Sequence, residues 1–304
     1  MMRFTVQYPI VAAGYDRALL EPENVIAVAR TVEEAGLDAL AFTEHPVPSQ
    51  KWMAAGGHDS LDPVTALAFC AAATTSIKLM PYLMVLPYRS PFLAAKQVAT
   101  LDVLSGGRVV FGVGTGYLRS EFAALGVDHA ERTRLFDEAL ETILGIWGTD
   151  GYSKTGMHFF AKAQTAHPRP RQQPHPPVWL GGNSARVRQR VADLGAGWAP
   201  LIIPAERAAT VSTPAIENIA ELRTAIADLN RRVEEAGRDP GSIDVQVEWA
   251  QINKMAGDRT RQLDLIAELA DAGVTWLVVD PPGDDVEHTR DAIREYGAEV
   301  AAKS

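Results

Sequence analysis

The sequence predicts an α/β protein, a (β/α)8 TIM barrel. The barrel forms a single domain over residues 1–304, with an insertion at about residues 149–177 between the fourth and fifth strand–helix units. Three observations predict it. Short apolar runs alternate with stretches of helical period, eight times along the chain. The strand runs are apolar almost throughout, as in a parallel sheet covered by helices. The length of 304 residues is about that of a usual barrel. A doubly wound open sheet is the alternative, but no switch point in the chain favours it.

The elements follow in order. Phe4–Tyr8 is the first strand. Pro22 opens a helix, PENVIAVARTVEEAG, which Gly36 closes. Ala39–Thr43 is a buried strand. Asp62 and Pro63 supply the N-cap and first-turn proline of a helix over Val64–Thr74. IKLMPYLMVLPYR holds the third strand, and Pro91–Leu104 is the helix after it. RVVFGV is the fourth strand, and Glu131–Trp147 is a long amphipathic helix. GYSKTGMHFF then predicts a small hairpin, and AHPRPRQQPHPP an irregular connector that proline keeps out of regular structure. The alternation resumes with strand PPVWLGG, helix SARVRQRVADLGAG and strand GWAPLI. It ends with helix Ile216–Ala236, strand DVQVEWA, helix RTRQLDLIAELADAGV, strand TWLVVD and helix Val286–Tyr296.

Composition excludes several classes. The net charge is −9 and there is no basic tract, which argues against nucleic acid and anionic membranes as partners. No stretch approaches the roughly 18 apolar residues of a membrane helix. MMRFTVQYPI is too short and too strand-like for a signal peptide, so a reducing cytoplasm is the expected location. One cysteine, Cys70 in LAFCAAAT, excludes an internal disulfide and fits a small buried hydrophobe. The seven histidines show no metal-ligand spacing, and no metal is expected. The chain has no Gly-x-Ser-x-Gly elbow, and GNSAR fails it at the last position.

In a barrel, chemistry sits where the strands end. The second strand ends in Glu44 and His45. An imidazole takes or gives a proton near neutral pH, and a neighbouring carboxylate tunes it. A plain strand-end capping pair is the other reading. The fourth strand ends in Gly112-Val-Gly-Thr-Gly, followed by Tyr117, so it is not the dinucleotide fingerprint. Its missing side chains let backbone approach a flat ring or a phosphate, or simply make a tight turn. The fifth strand ends in Gly181, Gly182, Asn183 and Ser184 before a helix, which suits either a phosphate or ordinary capping. Trp52 lies in a long loop placed to cover a barrel mouth.

Together these stretches resemble a known family. The succession TEH, LMVLPYRSPFLAAKQVATLDVLSGGRVVFGVGTGYLRSEFAALGV, ERTRLFDEALETILGIW and PPVWLGGNSARVRQRVADLGAGW is similar to the bacterial luciferase-like flavin and deazaflavin oxidoreductases. The likeness runs from about Phe4 to Trp198. The last third matches in layout more than in motif. Within the superfamily the chain looks most like the actinobacterial F420-dependent oxidoreductases.

The resemblance implies a tricyclic ring across the strand C-termini. It implies a non-prolyl cis peptide under the ring, near Tyr82-Leu83. Thr115, Gly116 and Ser120 would flank the ring or its ribityl chain, and Gly181, Gly182, Asn183 and Ser184 would hold phosphate. In the sugar-phosphate dehydrogenases of the family an acid and a histidine end the second strand, and Glu44 and His45 match them. Those enzymes carry a proton-donating glutamate after the fourth-strand glycine, where this chain has Tyr117. That departure argues against sugar-phosphate oxidation and leaves Tyr117 as a candidate donor.

The expected activity is F420-dependent hydride transfer to or from a small or medium organic substrate, with His45, helped by Glu44, orienting it or exchanging the coupled proton. An FMN-dependent monooxygenase, with O2 and a flavin reductase partner, is the alternative. A non-catalytic flavin-binding protein is a third reading, and its sign would be loss of Glu44-His45 or of the Gly-Gly-Asn-Ser turn. The family also implies a homodimer.

Overall fold

A computed structural model describes residues 1–208, 210–255 and 258–304. Its strands are β1 (Arg3–Gln7), β2 (Ala39–Phe42), β3 (Lys78–Pro81), β4 (Met84–Val85), β5 (Phe111–Gly114), β6 (Tyr152–Thr155), β7 (Phe160–Gln164), β8 (Val178–Gly181), β9 (Gly197–Ala199), β10 (Asp244–Glu248) and β11 (Trp276–Val279). All but β6 and β7 form one parallel sheet in the order β3-β2-β1-β11-β10-β9-β8-β5-β4. The two ends of that list belong to one broken strand. β4 pairs with β5 through Met84 and Val113, and Leu79 of β3 bridges Val109. The circle therefore has eight staves, the third one interrupted at Tyr82 and Leu83, and the fold is a TIM barrel.

Sequence explains the staves. β2, β5 and β11 are buried at every position, because helices cover the outer face and side chains fill the inner one. Inside, Ala39 and Ala41 leave room for Trp179 and Trp276, whose rings meet edge to face with centroids 5.2 Å apart. Thr5 donates to Gln246 across the interior at 2.6 Å. Each helix brings one apolar stripe. Helix Ile219–Glu235 buries Leu222, Ile226, Leu229 and Val233 at helical spacing, each worth roughly 1.5–3 kcal/mol of transfer free energy. It starts later than Ile216 because Ile216 is taken by a bridge to Ile203 and Asn218 caps the helix at Glu221 N. Asp62 caps helix Pro63–Ala71 through Thr65 N at 2.8 Å. Cys70 is buried in that helix, and burial pushes its thiol up to about 12.

The two ends of the barrel have different work. At the base, buried Arg108 donates to the carbonyls of Ala71, Thr74, Ile77 and Ser105 and to the Thr74 hydroxyl. It ties two helix ends to the start of the fourth stave. The strand C-termini form the opposite end, free for loops. Between the helix Arg132–Gly148 and β8, the insertion forms the antiparallel hairpin β6–β7, longer by four residues at its C-terminal end than GYSKTGMHFF (residues 151–160) implied.

Candidate active site

The floor of the mouth is built around the break in the third stave. The Tyr82-Leu83 peptide is cis, at the position the resemblance singled out. Leu83 leans over the ends of β5 and β8, and glycine makes the space for it. A Cβ on Gly181 would lie 1.9 Å from Leu83 Cδ1, and one on Gly114 would lie 3.5 Å from it. A Cβ on Gly112 would lie 2.3 Å from the Pro81 carbonyl oxygen. The glycine run of the fourth stave thus admits the neighbouring backbone. Gly116 has φ +72°, a conformation that favours glycine, and its absent Cβ would sit 2.6 Å from Val85.

Beside this floor lies a cavity of about 180 Å3. Its walls include Thr115, Gly116 and Tyr117 after β5, Gly181 to Ser184 after β8, and Ser212 and Thr213 from the loop facing them. The four residues of the β8 turn play different parts. Gly182 N–H goes to the Ala199 carbonyl at 3.2 Å, and Asn183 N–H to the Thr213 hydroxyl at 3.0 Å. The Asn183 side chain is buried and spent on backbone: it donates to the carbonyls of Leu201 and Pro214 and accepts from Leu201 N–H. Ser184 caps helix Ala185–Leu194 through Val187 N. The N–H groups of Ala185 and Arg186, in that helix's first turn, have no intrahelical acceptor. Ser120 is half-buried in the short helix Arg119–Ala124.

The acid–histidine pair divides. Glu44 is buried, accepts from Val85 N–H at 2.6 Å, and pairs with Arg89. Burial pushes its carboxyl pKa up, with Arg89 and the Val85 N–H opposing. It braces the broken stave, while His45 meets a different carboxylate. His45 Nδ1 lies 3.3 Å from Oε2 of Glu121, and the same oxygen accepts the Tyr88 hydroxyl at 2.9 Å. Oε1 of Glu121 accepts Val47 N–H at 3.3 Å. Glu121 is fully buried. Sequence reading missed it, although it lies only four residues past Tyr117, in the first turn of the short helix Arg119–Ala124.

The His45 backbone is held by Ser60, whose hydroxyl accepts its N–H at 2.9 Å and donates to its carbonyl at 3.0 Å. Around the imidazole stand Trp52, His58 and Tyr117, with ring centroids 4.5, 5.1 and 6.0 Å away. Burial followed by the Glu121 charge raises the Tyr117 phenol pKa, with Trp52 opposing. Burial lowers that of His58. His45 also lines a chamber of about 280 Å3, together with Ile10, Leu20, Met53 and Leu61 and the polar Tyr15, His58, Asp59 and Ser60. Tyr82, at the floor, has its phenol raised by burial and then by Glu248 and Asp280.

In enzymes built on a closed parallel barrel, the strand C-terminal loops are where the active site lies. A family model described as luciferase-like monooxygenase matches residues 2–251, and the chain belongs to that family. The FMNH2-dependent dimethylsulfone monooxygenase of Pseudomonas putida is 35% identical over 199 residues, 63% of this chain and 54% of the relative. The chain thus spans about half of that relative's length. The F420-dependent glucose-6-phosphate dehydrogenase of Beutenbergia cavernae is 26% identical over 287 residues, 88% of this chain and 82% of the relative. In fold, the monooxygenase RslO1 from Streptomyces bottropensis superposes with a TM-score of 0.80 at 19% identity, over 99% of both chains. The superfamily holds F420-dependent and FMN-dependent members alike.

Proposed function

We propose that this chain is an F420-dependent oxidoreductase, moving a hydride between C5 of the deazaflavin and a small or medium, rather apolar organic substrate. The observation that carries the reading is the convergence on one mouth of a floor of Leu83 seated on glycines, the Gly181–Ser184 turn at a helix N-terminus, and His45 backed by a buried acid. The likeness to the F420-dependent relative along 88% of this chain supports the choice of cofactor.

The residues fit such a group. Leu83, seated against Gly114 and Gly181, would lie under a ring edge beside Thr115 and Gly116. Tyr82 and Ser120 would flank the ring and its chain. Phosphate would meet the turn of Gly181, Gly182, Asn183 and Ser184 and the free amides of Ala185 and Arg186, on the positive end of the helix. Asn183 shapes that turn from behind. The bound cofactor supplies the hydride chemistry. His45 orients the substrate and takes or returns the proton at its oxygen. Trp52 and Tyr117 cover the imidazole and exclude water. Glu44 acts on the site through the third stave. The chamber beside His45 mixes apolar walls with Tyr15, His58, Asp59 and Ser60 and has no Lys or Arg among its described lining residues, which suits a neutral rather than an anionic substrate.

The test is a titration of apo-protein with F420 and, separately, with FMN, followed by a screen of ketones, enones and alcohols. Tight F420 binding and F420-linked turnover are expected. Tight FMN binding with weak F420 binding would overturn the assignment. A second reading, an FMN-dependent monooxygenase served by a flavin reductase, is favoured by the 35% identity to the dimethylsulfone enzyme. Its sign is O2 consumption with FMNH2. A homodimer belongs to the same proposal, and light scattering checks it.

A further inference from the structure

We infer that Glu121 is the positioning residue of His45, holding the imidazole with its proton on Nδ1 and its lone pair on Nε2. The inference rests on the reading of His45 as the substrate-facing group, and it adds the tautomer in which that group waits.

The argument is one of donors and acceptors. Three groups meet the Glu121 carboxylate: His45 Nδ1, Val47 N–H and the Tyr88 hydroxyl. A backbone N–H only donates. The Tyr88 phenol keeps its proton, because burial and the Glu121 charge both raise its pKa. Two of the three partners therefore require Glu121 to accept on both oxygens. The oxygen that accepts from Tyr88 is the one that faces His45. An unprotonated Nδ1 would set a lone pair against that oxygen. A protonated Nδ1 donates to it. Nε2 is then the nitrogen left with a free lone pair, on a residue that lines the chamber with Ile10, Met53 and Leu61. A carboxylate behind a histidine fixes its tautomer and steadies the imidazolium when the ring takes a proton.

The placement is rigid. Glu121 is fully buried in helix Arg119–Ala124, and Val47 N–H ties the loop after β2 to the same carboxylate. Glu44 stands next to His45 in sequence, but its carboxylate goes to Val85 and Arg89. The acid adjacent in the chain supports the barrel, and the acid 76 residues away sets the histidine.

The test is two-bond 1H–15N correlation of uniformly labelled protein at about pH 8.5, where ordinary imidazoles are neutral. The His45 signals are identified by their loss in His45→Asn. The expected pattern has the proton on Nδ1 in wild type and in Tyr88→Phe, which keeps the carboxylate. Glu121→Gln presents an amide that donates as well as accepts, and the pattern should move toward Nε2–H. Turnover should fall on the order of 10- to 100-fold, as for other groups that orient a functional histidine, with F420 affinity unchanged. An Nε2–H pattern in wild type, or a pattern indifferent to Glu121→Gln, would overturn the inference. If Glu121→Gln fails to fold, the wild-type and Tyr88→Phe spectra still decide. The spectra need neither cofactor nor substrate. An Nδ1–H histidine in a protein without F420 turnover would defeat the proposed function and leave the positioning role intact.

Discussion

Replacing Gly181 by alanine tests whether the mouth is built around Leu83. The added Cβ would lie 1.9 Å from Leu83 Cδ1, where ordinary contact begins at 3.4 Å. The methyl must retreat by about 3.4 − 1.9 = 1.5 Å. It is the tip of a flexible side chain, so rotation about χ1 or χ2 relieves the overlap, at the usual overpacking cost of about 1–3 kcal/mol. At roughly 2 °C per kcal/mol for a chain of this size, the melting temperature should fall by about 2–6 °C. The displaced methyl also moves within the space assigned to the ring, so cofactor affinity should fall with it. Leu83→Ala removes the methyl and has its own cavity cost. In the double variant the clash is gone, so the two changes should couple favourably by about 0.5–3 kcal/mol. Chemical denaturation of the four proteins closes the cycle. A Gly181→Ala protein as stable as wild type, or strictly additive effects, would refute the reasoning.

Other perturbations separate scaffold from chemistry. Gly112→Ala sets a Cβ 2.3 Å from a backbone oxygen that cannot rotate away, so it should destabilise more than Gly181→Ala in the same denaturation series. His45→Ala should retain F420 binding and lose turnover by about 10²–10⁴-fold, the usual worth of a proton-transferring side chain, and turnover at the wild-type rate would refute its role. Glu33 receives the N–H groups of Thr75 and Ser76, and those bonds hold its carboxyl at about 2 despite the cost of burial. A depressed carboxylate stabilises above its unfolded pKa and loses that contribution as pH falls toward 2. Glu33→Gln should therefore lower the melting temperature at pH 7, and the gap should close on acidification between about pH 4.5 and 2.

The staves and helices were legible because each carries its own period, and caps such as Asp62 fix their ends locally. The break in the third stave was legible only by resemblance, since LMPYLMV after Lys78 is one hydrophobic run and the interruption at Tyr82-Leu83 leaves no periodicity behind. The glycines at 112, 114 and 181 advertised a close approach but not its object. That object is Leu83, from a different stave, and only the closed barrel brings them together. Asn183 looked like a ligand and is spent on two loop carbonyls, a pairing set by a loop that begins 18 residues away.

The two glutamates show why adjacency misleads at a barrel mouth. Successive residues past a strand end point in different directions. Glu44 turns toward the neighbouring stave and His45 toward the loops, so the pair shares sequence without sharing chemistry. Their environments diverge accordingly. Glu44 has one cation and one amide against its burial, and its carboxyl stays above the ordinary range. For a carboxyl with a raised folded-state pKa, stability is present below the unfolded value and is lost as pH rises through the folded one. Glu44 is thus tolerated at neutral pH at some cost, and it is held there by Arg89 and by the Val85 amide. Glu44→Gln keeps an acceptor for that amide and strands Arg89, whereas Glu44→Gln with Arg89→Met strands neither. The double variant should recover most of the stability lost by the single one in urea unfolding. A double variant no more stable than Glu44→Gln would mean that a stranded Arg89 is not what the single variant suffers from, and would refute the ion pair as a brace of the broken stave.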